Sequence, residues 1–83
     1  MKHRHQFGSA DVIALRDVAR IGAFIADVDR RAQLLDHDIA AEEERARVFN
    51  TLDAAYPVLA RTWAARRDKL KATIATLEKR LAN

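Results

Sequence analysis

Residues 18–49 read VARIGAFIADVDRRAQLLDHDIAAEEERARVF. Alternate steps of three and four visit Val18, Ile21, Ile25, Val28, Ala32, Leu35, Ile39, Glu42, Ala46 and Phe49, and nine of these ten are apolar. An average spacing of 3.5 residues keeps one narrow apolar stripe on one side of a helix, facing a partner helix. The stretch therefore predicts a long helix with a coiled-coil-like seam.

Working outward, Ser9 is a suitable N-cap, and Asp11 falls in the first turn, where a carboxylate meets the positive helix end. Nothing forces a stop before Asn50. Asp36-His37-Asp38 is the one candidate break, since Asp competes for local backbone hydrogen bonds; the seam runs straight through it and favours a continuous helix. Gly22 costs the helix about 1 kcal/mol relative to Ala and suggests a close approach of another backbone. Asn50-Thr51-Leu52-Asp53 reads as a turn, with Asp53 capping a second helix and Pro57 in its first turn, where the missing N–H costs little. The second seam is Tyr56, Ala60, Trp63, Arg67, Leu70, Ile74, Leu77 and Leu81.

The fold predicted is all-α: a disordered basic tail over 1–8, a helix over 9–49, a turn over 50–53 and a helix over 54–82, closed as an antiparallel hairpin. A turn at that place fixes the layers as Ala46/Tyr56, Glu42/Ala60, Ile39/Trp63, Leu35/Arg67, Ala32/Leu70, Val28/Ile74, Ile25/Leu77 and Ile21/Leu81. Small faces large in two of them, as dense packing requires. Glu42 and Arg67 are the polar residues of the seam and are expected to pair and hold the register.

Residues 9–20 have no counterpart on the second helix, an overhang of roughly 18 Å at 1.5 Å per residue. It carries Val12, Ile13, Leu15 and Val18, and a second apolar flank follows along Ile13, Phe24, Leu34 and Val48 and along Val58, Leu59, Ala64, Ala65 and Ala72. A two-helix hairpin buries one stripe per helix, so a second stripe calls for a further surface. The economical solution is a homodimer forming a four-helix bundle; another helical protein is the other candidate. The association residues are Ile13, Leu15, Val18, Phe24, Leu34 and Leu59.

Composition narrows the function classes. A chain of 83 residues makes one small domain, for which oligomerisation is a common support. It has no Cys, so neither a disulfide framework nor a thiolate site is available. No stretch has the continuous apolar core of a signal peptide or a membrane span, which places the chain in the cytoplasm without a membrane partner. The net charge of +3 hides a split: residues 9–49 carry six basic and nine acidic groups, residues 54–83 seven basic and two acidic. An acidic segment followed by a basic one can neutralise itself by folding back.

The chemistry-bearing residues do not gather. His3 and His5 sit in a cationic segment that repels a metal ion. Asp36, His37 and Asp38 point about 100° apart on a helix and cannot converge. Glu42-Glu43-Glu44 lacks the Glu-x-x-His partners of a carboxylate di-metal bundle; Glu43 with Arg47 reads as a helix-stabilising pair worth a few tenths of a kcal/mol. Ser9 and the threonines have no neighbouring base, and there is no phosphate-binding glycine loop. No enzyme activity, metal, cofactor or small-molecule substrate is expected. Arg61, Arg66, Lys69 and Lys71, with Trp63 among them, are the candidate contacts of an alternative function, nucleic-acid binding; the plainer reading makes Trp63 a core anchor.

The strings Asp38-Ile39-Ala40-Ala41-Glu42-Glu43-Glu44-Arg45-Ala46, Ala55-Tyr56-Pro57-Val58-Leu59-Ala60-Arg61 and Arg66-Arg67-Asp68-Lys69-Leu70-Lys71 resemble a group of short helical proteins of soil alphaproteobacteria with no established activity. The resemblance covers the C-terminal half and implies a bacterial, intracellular, non-enzymatic protein; it carries over no site. The function expected is a non-enzymatic interaction or scaffold module.

Overall fold

In the computed structural model, which describes the backbone of residues 2–82 and the side chains of residues 14–82, the seam runs where the spacing puts it. Two helices, α1 (Lys2–Ala46) and α2 (Val58–Ala82), pack against each other as a hairpin. Every seam position from Ile21 to Ala46 on α1, and from Tyr56 to Leu77 across the link and α2, is buried or half-buried. Among the described residues Val28, Ala32, Ile39, Tyr56 and Ala60 are the buried hydrophobic residues, Pro57 is buried in the link, and no large side chain is completely enclosed. Ile39, Tyr56 and Ala60 form one cluster, with Val48, Trp63 and Ala64 packed on it. Trp63 is thus a core residue. Arg67 reaches Asp36, the neighbour of its expected layer mate Leu35, at 2.9 Å, which agrees with the register.

The helix bounds differ from the sequence reading. α1 begins at Lys2, seven residues before Ser9, and passes through Asp36-His37-Asp38 unbroken. Between Lys2 and Ser9 only Gly8 opposes helix, by about 1 kcal/mol. At the other end α1 stops at Ala46, three residues short of Phe49. Arg47 takes the left-handed conformation (φ 59°), and its N–H donates to the Glu43 carbonyl at 2.7 Å. This is the single-bond left-handed cap, built here on a residue other than glycine.

The link is two consecutive turns of one design. The Asn50 carbonyl accepts from the Asp53 N–H and its side chain from the Leu52 N–H; the Asp53 carbonyl accepts from the Tyr56 N–H and its side chain from the Ala55 N–H. Asp53 therefore heads a second turn and does not cap α2, which starts four residues later than expected. Pro57 explains the delay. Its ring bars the preceding residue from helical angles, so a helix begun at Ala54 would break at Tyr56. Instead the Pro57 carbonyl accepts the first bond of α2, from the Arg61 N–H at 3.1 Å.

Gly22 corrects another expectation. A Cβ placed there meets nothing within 4 Å, so no backbone approaches it within the hairpin. Among the described residues no helix is long and apolar enough to cross a membrane.

Candidate interaction surfaces

The polar residues of the seam settle with separate partners. Glu42 takes a two-pronged hydrogen bond from Arg45, three residues on, at 2.7 Å for each prong. That contact holds its carboxyl below the usual carboxylate range. Arg67 bonds to Asp36 and, along its own helix, to Asp68. The expected Glu42–Arg67 pair does not form. Seven residues of rise separate their layers, about 10 Å, while Asp36 flanks the seam at Arg67's own level.

Glu43 is likewise redirected. Its carboxylate accepts the Tyr56 hydroxyl at 2.7 Å, and Arg47, outside the helix in its left-handed conformation, pairs with Glu44 instead. The hydrogen bond to Glu43, then burial and the Glu43 charge, holds the Tyr56 phenol above its ordinary range. Arg61 lies over the Tyr56 ring, 5.3 Å from its centroid, and donates to the Thr51 carbonyl. These contacts pin the link to both helices.

The hairpin does not neutralise its two charge blocks against each other. Most of the ion-paired acids of α1 are taken locally: Asp27 by Arg30 and Arg31, Glu42 by Arg45, and Glu44 by Arg47 just past the helix end. Among the described residues Arg67–Asp36 is the single ion pair between the helices. The positive charge of α2 therefore faces solvent. Of the four candidate contacts, Lys71 lies on the far flank of α2, Arg61 is tied to the link by its bond to Thr51, and Arg66 and Lys69 stand next to it on the same side. With Arg61, Thr62 and Ala65 they surround a shallow depression.

The apolar candidates are exposed and dispersed. Leu15 is 68 % and Val18 52 % exposed on the part of α1 that runs past the end of α2. Ile13 belongs to the same stretch, but its side chain lies outside the described residues. Phe24 and Leu34 stand exposed on one flank of α1, and Leu59 is exposed at the opposite end of the hairpin. The structure brings Phe24 together with Ile21, Asp17, Arg20 and Arg80 around a concavity where α2 ends. Phe49, expected in the seam, is exposed, as are Leu52 in the link and Val58 at the start of α2, so the closed end carries exposed apolar side chains that spacing alone did not show.

Comparison with protein-family models, with curated proteins and with solved structures finds no match to this chain. The functional reading therefore rests on the hairpin itself.

Proposed function

We propose that the protein is a non-enzymatic cytoplasmic interaction module that pairs with a second copy of itself. The observation that supports this is the exposed row on α1 beyond the end of α2. There Val18 continues the seam at its own spacing, beside Leu15, with no helix to cover it. The surface that matches such a row is another helix carrying the same row, and a second copy supplies it. Two overhangs crossing at a two-fold axis bring four helices together where each α2 ends, in a four-helix arrangement. The Ile21–Phe24 concavity, rimmed by Asp17, Arg20 and Arg80, is the seat next to that crossing. Both charge signs on the rim suit a self-complementary contact.

The native mass in solution at low and moderate salt tests the reading. A dimer is expected at micromolar concentration. Leu15→Glu with Val18→Glu places charges where about 1.5–3 kcal/mol of burial per side chain is otherwise gained. It should weaken pairing at least about a hundredfold while circular dichroism keeps the helical signal. A wild-type monomer, or a double variant that pairs as tightly as the wild type, overturns the proposal.

A further inference from the structure

One face of α2 is neither seam nor apolar flank. Thr62, Arg66, Lys69, Thr73, Thr76 and Arg80 follow one another in steps of four and three, beside the seam, and all are exposed. No acid interrupts this row. The acids of α2, Asp68 and Glu78, lie about 100° or more around the helix from its centre, and Asp68 is occupied by Arg67. Among the described residues Arg66, Lys69 and Arg80 form no ion pair. On the adjoining flank of α1, Arg31 and Arg45 are taken by Asp27 and Glu42, and Asp17 and Asp38 form no ion pair among the described residues, so two separated carboxylates border the row.

The row is also low. Each threonine hydroxyl donates back to the carbonyl four residues earlier, Thr62 to Val58, Thr73 to Lys69 and Thr76 to Ala72, at 3.0–3.1 Å. With Ala65 and Ala72 alongside, the cations rise from a surface that a broad polyanion can approach closely. From Thr62 to Arg80 the row is about 27 Å long, the rise of about eight base pairs of duplex.

We infer that this face binds the phosphate backbone of double-stranded DNA without reading sequence. Charge complementarity along a straight row favours a stiff polyanion. Single-strand binding needs exposed aromatic rings to stack on bases, and the row has none; Tyr56 is buried and Trp63 packs on the core. The face has no Asn or Gln to read adenine edges. One hairpin carries the row, and its Arg66 and Lys69 lie away from the Ile21–Phe24 concavity that Arg80 rims, so the inference does not require dimer formation.

The test is fluorescence anisotropy of the full chain on a labelled mixed-sequence 20-base-pair duplex at 50 and 200 mM salt. With about three phosphates neutralised, affinity should fall about fiftyfold between the two. Arg66→Ala with Lys69→Ala should weaken binding at least about tenfold at 50 mM and flatten the salt slope by about two. Arg30→Ala with Lys71→Ala, an equal change of net charge off the row, should stay within about twofold. Absence of duplex binding at 50 mM salt, equal weakening by the two double variants, or tighter binding of oligo-dT than of duplex overturns the inference.

Discussion

Arg47 holds the end of α1 in a conformation that costs an L-residue with a side chain about 1–2 kcal/mol. Glycine adopts it freely, at some cost in unfolded-chain entropy. The ion pair of Arg47 with Glu44 is exposed and contributes little. Arg47→Gly should therefore raise unfolding stability by about 0.5–1 kcal/mol in urea titration; a loss of stability would show that the pair outweighs the strain. Tyr56 carries the second residue-scale prediction. Removing its hydroxyl in Tyr56→Phe forfeits the bond to Glu43 and should cost about 1 kcal/mol at pH 8. Because the folded phenol is held above its unfolded value of about 10, the stabilisation is complete below that pH and is lost as pH rises through the folded value. The stability gap between wild type and Tyr56→Phe should narrow above about pH 10, and a gap constant to pH 11 would contradict the assignment.

At the scale of the element, Gly22 lies mid-helix in open space. Gly22→Ala should add about 1 kcal/mol, read as a higher urea midpoint with unchanged slope. If α1 of a second copy crosses closely there, the same change would weaken self-association, so native mass and stability should be measured together. The seam was legible in the sequence because spacing alone decides which side of a helix a residue occupies. The layer partners were nearly legible as well, since Arg67 meets Asp36, one residue from Leu35. The start of α2 was not. The missing N–H of Pro57 is tolerated in a first helical turn, whereas its ring disfavours helical angles at Tyr56 and so delays the helix. The end of α1 was hidden for the opposite reason: no glycine marks the left-handed position, and only the cap geometry reveals Arg47 there.

The whole molecule is a rod of 70 × 17 × 13 Å with a radius of gyration of 19.9 Å. A compact chain of this length would have about 12 Å. Such a shape exposes most side chains and leaves a core one layer thick, so the stability that one hairpin can reach by itself is small. If pairing supplies the rest, the melting midpoint of the wild type should rise with protein concentration, and that of the Leu15→Glu, Val18→Glu variant should not.

Periodicity, turn residues and helix-forming composition determined two helices, their facing stripes and an unpaired length of the first, because each depends only on positions near one another in the chain. Which charged group meets which depended on the packed structure. Glu42, Glu43 and Arg67 each had several partners within reach along the sequence. The choice fell to distances of a few ångströms set by the register, the left-handed turn at Arg47 and the delayed start of α2. The same register leaves the cations of α2 facing solvent: α1 satisfies most of its paired acids locally, where partners three and four residues away are nearer than any group on the opposite helix.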